Sequence, residues 1–376
     1  MKVALVHDYL REYGGAERVL EVLHEMYPDA PVYTSYYFPE KMPAQFKSWN
    51  IIPGVIEKWW GARLLQKPYT YLVGMSFEQF DLRGFDLVIS SSANFAKGVI
   101  THPGQIHINY CHTPTRFLWG LNTQTKRGGL LSLLLGPLDS YLRQWDYAAA
   151  QRVDYFIANS LTTKKRIKRF YARDSVVMFP PTVSSSKESV SESDIHLVCR
   201  KYLIPENYFL VVSRLFRVKN IDVIVNAFNE LGLPLVIVGS GKEEKKLKKL
   251  AKQNIIFTGF VSDEELSGLY AGARAFVAAA EDEDFGMTVV ESQSHGVPVI
   301  ALRRGGYTES VVEDKTGVFF DEVSAVFLGD AVKKFQELSF DKEFIKKHSL
   351  KFSKEAFVEQ FTHFCSQLHR DTAVRS

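Results

Sequence analysis

The stretch that decides the fold is Arg274-Ala-Phe-Val-Ala-Ala-Ala280, followed by Glu281-Asp-Glu-Asp-Phe-Gly-Met-Thr-Val-Val-Glu-Ser-Gln-Ser-His-Gly296 and Val297-Pro-Val-Ile-Ala301. The first apolar run predicts a buried parallel strand, and the last run predicts the next strand. Between them the sequence predicts a loop and a short helix that ends before Gly296, a C′ glycine. Strand, loop, helix and strand in this order are typical of a parallel α/β sheet.

Acidic side chains collect where the first of these strands ends. We expect Glu283 in the loop and Glu291 on the second helical turn, with the amide groups near Phe285, Gly286 and Met287 close to them. Ligands of open parallel sheets bind outside the carboxyl ends of the strands. Carboxylates bind hydroxyl groups and helix starts attract phosphate, so a sugar joined to a nucleoside diphosphate fits this pattern. The spacing alone fits a surface helix with an acidic first turn equally well.

Strands and helices alternate twice along the chain, which predicts two doubly wound parallel sheets. The 376 residues exceed one ordinary core, and the serine-rich segment from Pro180 to Asp194 is the best linker candidate. We therefore expect Rossmann-like domains at 1–183 and 184–355, with their loop ends facing each other across a cleft. A C-terminal helix at 356–376 is expected to return to the first domain.

Composition narrows the class of protein further. The net charge of +3 and the pI of about 8.5 suit an anionic substrate or membrane surface, but they do not argue for nucleic acid. Three scattered cysteines, Cys111, Cys199 and Cys365, are typical of a reducing compartment. The sequence opens directly on a strand and has no apolar run of 18 residues, so we expect a cytoplasmic protein without a membrane-spanning helix.

Two segments combine basic residues with apolar ones. Lys58–Lys67 contains paired tryptophans, and Lys126–Leu135 has an apolar run behind two cations. This mixture is typical of segments that lie on an anionic bilayer, although ordinary core packing explains it equally well. The pattern raises the possibility of peripheral contact with the inner face of the cytoplasmic membrane.

The stretch Glu283-Asp-Phe-Gly-Met-Thr-Val-Val-Glu291 resembles the E-x7-E signature of retaining glycosyltransferases of family 4, which have the GT-B fold. Further motifs of that family follow in the expected order along nearly the whole chain. They are Gly14-Gly-Ala-Glu-Arg18, Ala158-Asn-Ser160, Phe179-Pro-Pro-Thr182, Val212-Ser-Arg-Leu-Phe-Arg-Val-Lys219, Ile237-Val-Gly-Ser-Gly241, Gly305-Gly-Tyr-Thr-Glu309 and Phe352-Ser-Lys-Glu355. More narrowly, Val6-His-Asp-Tyr-Leu10 and Tyr110-Cys-His-Thr-Pro-Thr-Arg-Phe117 resemble bacterial mannosyltransferases that build lipopolysaccharide core or O-antigen from GDP-mannose.

The resemblance implies a role for each motif. The first domain would bind a saccharide or glycolipid acceptor, and the second a nucleotide-sugar donor. Arg214 and Lys219 would hold the donor phosphates, Glu283 the donor sugar and Glu291 the ribose. His112 would face the sugar and bind either a sugar hydroxyl or a phosphate oxygen. Further donor contacts are expected from Gly14, Gly15, Gly239, Phe260, Val261, Phe285, Gly286 and Met287, and acceptor or phosphate contacts from Asp8 and Arg116.

We expect neither a metal nor a cofactor. Asp282-Glu-Asp284 matches the metal-binding D-x-D of GT-A enzymes, but those are single-domain folds; His107, Cys111 and His112 lack the spacing of a zinc site. The main alternative function is a GT-B-shaped nucleotide-sugar 2-epimerase. A nicotinamide-dependent dehydrogenase is disfavoured because no G-x-G-x-x-G follows the first strand of either domain. A non-catalytic saccharide-binding protein would not need the phosphate motif.

Overall fold

The computed structural model describes residues 1–59, 72–121, 130–182 and 190–375, without the side chains of 130–134 and 369–375. The described residues therefore do not include 60–67 of the segment Lys58–Lys67. They also do not include 126–129 of the segment Lys126–Leu135, the side chains of 130–134, or 183–189 of the expected linker. In the described part of the chain, no helix is both long and apolar enough to cross a bilayer.

The chain divides into two compact units, Met1–Pro181 with Phe357–Ser376, and Thr182–Ala356. Thr182 belongs to the second unit because its amide and hydroxyl groups both donate to the Phe352 carbonyl, at 2.9 and 2.7 Å. The sequence places the end of the first domain at residue 183, two residues later. The hydrogen bond from Thr182 to Phe352 joins distant parts of the chain and cannot be read from the sequence around Pro180.

The first unit contains a seven-stranded parallel sheet in the order β3-β2-β1-β4-β5-β6-β7. Its strands are β1 Val3–His7, β2 Val32–Thr34, β3 Ile51–Pro53, β4 Leu87–Ser92, β5 Ile106–Cys111, β6 Tyr155–Ala158 and β7 Ser175–Val177. Its helices are α1 Gly15–Met26, α2 Val73–Glu78, α3 Leu130–Arg152 and α4 Leu161–Tyr171. The helix α1 packs on the sheet through Val19, Leu20 and Leu23, which are fully buried.

The second unit contains a six-stranded parallel sheet in the order β10-β9-β8-β11-β12-β13. Its strands are β8 Phe209–Val212, β9 Leu235–Val238, β10 Ile255–Gly259, β11 Ala275–Ala278, β12 Val299–Leu302 and β13 Gly317–Phe320. Its helices are α5 Glu192–Tyr202, α6 Ile221–Leu231, α7 Glu244–Leu250, α8 Asp263–Gly272, α9 Met287–Ser294, α10 Tyr307–Ser310, α11 Ala325–Glu337 and α12 Lys342–Ser349. The two parallel sheets confirm the expected doubly wound α/β class.

The stretch that opened the sequence analysis folds as β11, a loop, α9 and β12. Glu283 lies in the loop and Glu291 on the second turn of α9, and Gly296 follows the helix with a φ of 76°, all as predicted. The last helix, α13 Lys354–Arg375, passes from the second unit into the first, where Phe357 packs edge-on against Tyr110 at 5.7 Å between ring centroids.

Each sheet has one point where its crossover connections reverse direction. In the first unit this switch point lies between β1 and β4, and in the second between β8 and β11. The loops that leave the two central strands diverge there, so a crevice opens at the carboxyl ends of the strands. Both candidate sites below lie at these positions.

A buried histidine on β5 makes stability depend on pH. His107 is fully buried, and its Nε2 lies 2.7 Å from Ser90 Oγ on β4. Burial, with Arg152 and Arg173 nearby, lowers the pKa of His107 from 6.5 to about 3. The unfolded chain therefore binds a proton between these pH values that the folded chain does not bind.

We expect the free energy of unfolding to be highest above pH 6.5 and to fall as the pH drops towards 3. The contribution of His107 has a slope of about 1.4 kcal/mol per pH unit. Urea unfolding at pH 7.5, 6.5 and 5.5 measures this slope. The variant His107→Gln lacks the titrating group, so its slope should be smaller by about that amount, and equal slopes for the two proteins would contradict the prediction.

Candidate functional site

In the second unit, the switch point holds an ion pair. Lys219 ends a one-turn 3-10 helix after β8, and Glu283 lies in the loop after β11. Lys219 Nζ lies 2.5 Å from Glu283 Oε2, with side chains 25% and 20% exposed. Tyr307 donates its hydroxyl to the same oxygen at 3.4 Å, and its pKa is raised by burial and by the negative charge of Glu283. The structure thus brings together two residues that the sequence predicts to bind one donor.

Backbone contacts between neighbouring loops fix this pair in place. Asn220 Nδ2 donates to the Ala279 carbonyl at 3.0 Å, and the Gly306 amide donates to the Glu283 carbonyl at 3.0 Å. Gly305 has a φ of 57°, and a Cβ atom there would lie 2.3 Å from the Glu283 carbonyl oxygen, so only glycine fits. The loops after β8, β11 and β12 are therefore held against each other.

Glu291 lies nearby in the chain but in a more enclosed environment. It is 7% exposed, and its Oε2 accepts a hydrogen bond from the Tyr270 hydroxyl at 2.9 Å. The Tyr270 ring in turn stacks on His295, at 5.4 Å between centroids. A carboxylate held in this way is oriented before any ligand arrives.

The other residues that the sequence predicts to contact a donor are partly exposed and partly buried. Arg214 is exposed, with its guanidinium 5.8 Å from the Phe216 ring centroid, and Phe260 is 88% exposed. Val261 and Phe285 are 5% and 2% exposed, so their side chains are core residues and leave only backbone atoms for a ligand. The sequence predicts a contact through the amide group of Phe285, and its buried side chain is compatible with that prediction.

Three further donor residues shape the loops. A Cβ atom at Gly239 would lie 2.1 Å from the Ser213 carbonyl oxygen, so glycine lets the loops after β8 and β9 approach closely. Gly286 lies just before α9 and packs against the Tyr307 ring. A Cβ atom added at Gly286 would lie 2.7 Å from a carbon of that ring. Met287 is the first residue of α9 and is half-buried.

In the first unit, the switch point holds four side chains in one hydrogen-bonded row. Glu17 Oε1 lies 3.2 Å from His7 Nε2, His7 Nδ1 lies 3.2 Å from Ser91 Oγ, and Ser91 Oγ lies 2.8 Å from His112 Nε2. We call this row the polar relay. The other oxygen of Glu17 accepts the Gly14 amide at 2.9 Å. Of these four residues, only His112 is predicted from the sequence to bind a ligand.

His112 ends the relay immediately after β5. Its side chain is 9% exposed, and burial, with His7 nearby, lowers its pKa from 6.5 to about 3. Its backbone is fixed because its amide donates to the Ser92 carbonyl at 2.8 Å and its carbonyl accepts the Thr163 hydroxyl at 3.3 Å. His112 is therefore a neutral hydrogen-bonding group near pH 7, without a positive charge to offer a phosphate.

The expected acceptor residues lie in loops fixed by buried charges. The Asp8 carboxylate accepts four backbone amides of residues 93–96, at 2.6 to 2.8 Å. An acceptor contact would have to be added to these four bonds. Arg116 is half-buried in the loop after β5, and the adjacent Thr115 donates to Asp146, which is also paired with Lys97 at 2.5 Å.

The glycine loop differs from the expectation in one respect. The Gly14 amide, expected to approach a ligand, already donates to the Glu17 carboxylate in the first turn of α1 at 2.9 Å. Gly15 is the first residue of the helix. Within the described residues, no cluster of three or more His, Cys, Asp or Glu side chains could hold a metal ion.

Comparison with known proteins agrees with this geometry. Residues 200–356, which include Lys219, Glu283 and Glu291, match the family model described as glycosyl transferases group 1. The chain is 32% identical over 145 residues to sulfoquinovosyl transferase SQD2 of Arabidopsis thaliana, covering 37% of the chain and 28% of the relative. It is 30% identical over 203 residues to a GDP-mannose-dependent phosphatidylinositol monomannoside mannosyltransferase of Mycobacterium tuberculosis, covering 49% and 52%. The chain thus spans about half the length of these relatives or less.

Other matches extend along nearly the whole chain. Mouse alpha-1,3/1,6-mannosyltransferase ALG2 is 24% identical, covering 94% of both chains. The crystal structure of Anabaena HepE in complex with UDP-glucose superposes with a TM-score of 0.72 at 16% identity, covering 98% of this chain and 100% of that one. The epimerase alternative receives no support from these relatives. The match to glycosyl transferases group 1 therefore covers residues 200–356, and the chain has the GT-B fold.

Proposed function

We propose that this chain is a retaining glycosyltransferase that moves a hexose, specifically mannose from GDP-mannose, to a lipid-linked saccharide or lipopolysaccharide core. The observation that carries the proposal is the contact between Lys219 and Glu283 at the switch point of the second sheet, inside the segment that matches the family. A cation and a carboxylate side by side are what a phosphate-linked sugar requires.

In this proposal, cations bind the diphosphate of the donor, and carboxylates bind its sugar and its ribose. Negative charge develops on the diphosphate as the glycosidic bond breaks, so fixed cations at that position lower the barrier. Lys219 and the exposed Arg214, both after β8, supply these cations. Glu283 holds hydroxyl groups of the sugar, and Glu291, oriented by Tyr270, holds the ribose.

The stereochemical course is inferred from the family resemblance. A double displacement needs a carboxylate directly beneath the sugar, whereas Glu283 is assigned to the sugar hydroxyl groups and contacts Lys219 and Tyr307. In the proposed step, the acceptor oxygen attacks the anomeric carbon from the face that the diphosphate leaves. The bond to the diphosphate oxygen breaks, and that oxygen takes the acceptor's proton. Isolation of a glycosyl-enzyme on Glu283 would contradict this step.

The choice of donor and acceptor comes from the sequence relatives. The mycobacterial relative is named for GDP-mannose and for a phosphatidylinositol acceptor, and mouse ALG2 is a mannosyltransferase. The UDP-glucose bound to HepE carries less weight here, because 16% identity bears on the fold alone. A lipid-linked acceptor also suits a protein that contacts the inner face of the cytoplasmic membrane. No metal or cofactor is included in the proposal.

A panel of nucleotides and products tests the function directly. We expect GDP and GDP-mannose to raise the melting temperature more than UDP, ADP, dTDP and their sugars. A ligand at 100 times its dissociation constant adds about 2.7 kcal/mol of stability. With a glycolipid acceptor, GDP and a mannosylated product should form in equal amounts. The proposal would be contradicted if none of the nucleotides raised the melting temperature. It would also be contradicted if the protein converted the nucleotide-sugar into another one without an acceptor.

Variants of the second unit separate binding from turnover. Lys219→Met and Glu291→Gln should each weaken nucleoside diphosphate binding by about 10- to 150-fold, because a charge-assisted hydrogen bond contributes about 1.5–3 kcal/mol. Glu283→Gln removes the partner of Lys219, so it should leave nucleoside diphosphate binding equal or tighter while it lowers kcat. Isothermal titration and steady-state kinetics measure the two quantities.

The matched control for these variants is Glu244→Gln. Glu244 forms an ion pair with Lys248 at 2.7 Å in the same unit, but on the surface of α7. We expect no change in binding or turnover from this substitution. If Glu283→Gln weakened nucleoside diphosphate binding as much as Lys219→Met, the assignment of Glu283 to the sugar would be wrong.

Membrane contact is tested by sedimentation with lipid vesicles. We expect the protein to sediment with phosphatidylglycerol vesicles at low salt, but neither with phosphatidylcholine vesicles nor at about 1 M salt, where charges are screened beyond about 3 Å. The double substitution Lys126→Glu with Arg127→Glu should abolish sedimentation. The control is the double substitution Lys245→Glu with Lys249→Glu on the exposed face of α7, which changes the net charge by the same amount. This control should still sediment with the vesicles. Failure of the wild-type protein to sediment would rule out the contact.

A further inference from the structure

The polar relay is built by the sheet. His7 is the last residue of β1 and stands opposite Ser91 of β4 in the parallel register. His112 follows β5, the next strand of the sheet, and Glu17 lies in the first turn of α1. Three of the four side chains are at most 4% exposed, so water does not compete for their hydrogen bonds.

The hydrogen positions along the relay follow from one end. An ionised carboxylate only accepts hydrogen bonds, so Glu17 requires a hydrogen on His7 Nε2. When each imidazole carries one proton, His7 Nδ1 is an acceptor and takes the hydroxyl hydrogen of Ser91. The Ser91 oxygen can therefore only accept from His112, which places a hydrogen on His112 Nε2. His112 Nδ1 is left with a lone pair.

The outer end of the relay is open to a ligand. Among the described residues, nothing hydrogen-bonds His112 Nδ1, and this atom is not among the fully buried polar atoms that lack a partner. A second Ser-His contact on the opposite face of β4 provides a contrast. It joins Ser90 to His107, and there the remaining nitrogen, His107 Nδ1, is fully buried without a partner. One contact ends inside the core, whereas the relay ends at its surface.

We propose that Glu17, His7 and Ser91 are positioning residues that hold His112 in the tautomer with hydrogen on Nε2, so that Nδ1 accepts a hydroxyl group of the sugar. This inference rests on the proposed function for the identity of the ligand. It decides between the two contacts that the family resemblance leaves open for His112. A lone pair binds a sugar hydroxyl and repels a phosphate oxygen.

The same carboxylate also fixes the glycine loop. Glu17 accepts from His7 with one oxygen and from the Gly14 amide with the other. The start of α1 and the tautomer of His112 are thereby set together. A substitution at Glu17 should consequently change the tautomer of His112, although His7 and Ser91 lie between the two residues.

The tautomer is measured in the ligand-free protein. Long-range proton–nitrogen spectra of protein labelled with ¹⁵N-histidine distinguish hydrogen on Nε2 from hydrogen on Nδ1, and the variant His112→Gln assigns the signal among the ten histidines. We expect hydrogen on Nε2 in the wild type. Glu17→Gln, whose amide can donate to His7, and Ser91→Ala, which interrupts the relay, should both shift the population of His112 towards hydrogen on Nδ1. Ser90→Ala, the matched control, should not.

Kinetics supply the second readout. Ser91→Ala should lower kcat/KM for the donor about 10-fold, whereas Ser90→Ala, with a similar loss of thermal stability, should leave kcat/KM unchanged. Ser91→Thr retains the hydroxyl and should restore the wild-type tautomer. Hydrogen on His112 Nδ1 in the wild type, or a tautomer that Glu17→Gln does not change, would overturn the inference. Because the spectra need no substrate, this result stands apart from any failure of the proposed transferase activity.

Discussion

The reversal of crossover direction in each parallel sheet is the constraint on which both sites depend. Between β1 and β4, and again between β8 and β11, two neighbouring strands send their loops in opposite directions. Side chains at the carboxyl ends of these strands are therefore not covered by a crossover loop. His7 and Ser91 lie at the first reversal, and Lys219 and Glu283 follow the strands of the second. The remaining features of both sites orient these four residues.

The pairing of Lys219 with Glu283 gives each of the two charges a partner. Their side chains are only 25% and 20% exposed, so each charge is largely removed from water and needs a partner. In the proposed function, the diphosphate and a sugar hydroxyl take the place of this contact. The pair also keeps the cation and the carboxylate in position before a donor binds.

The sequence predicted the elements that have strong local signals. The apolar runs of β11 and β12 and the glycine after α9 all follow from patterns within a few residues. The edge strands β3 and β7 have only three residues each and show no such pattern. The motif E-x7-E located Glu283 and Glu291, but not their partners Lys219 and Tyr270, since pairing across loops has no local signal.

The polar relay was missed for the same reason. His7 and Ser91 are 84 residues apart, and only the register of β1 with β4 brings them together. One signal was present, since Gly14 followed three residues later by Glu17 is the spacing of a capping box. Finding the rest requires the sheet order, because Ser91 stands in a run of serines where Ser90 and Ser92 are equally plausible partners.

The two units treat charge in opposite ways, and this difference bears on which of them takes the diphosphate. In the first unit, Asp8 is satisfied by four amides, Lys97 is paired with a fully buried Asp146, and Glu17 is satisfied by His7 and Gly14. Removing a buried charge from its partner leaves it uncompensated and costs about 3–5 kcal/mol, so a ligand cannot recruit these groups. In the second unit, the side chains of Lys219 and Glu283 are partly exposed, at 25% and 20%. In the proposed function, the cations after β8 therefore bind the anionic leaving group, while the relay of the first unit offers a neutral nitrogen to an uncharged hydroxyl group of the sugar.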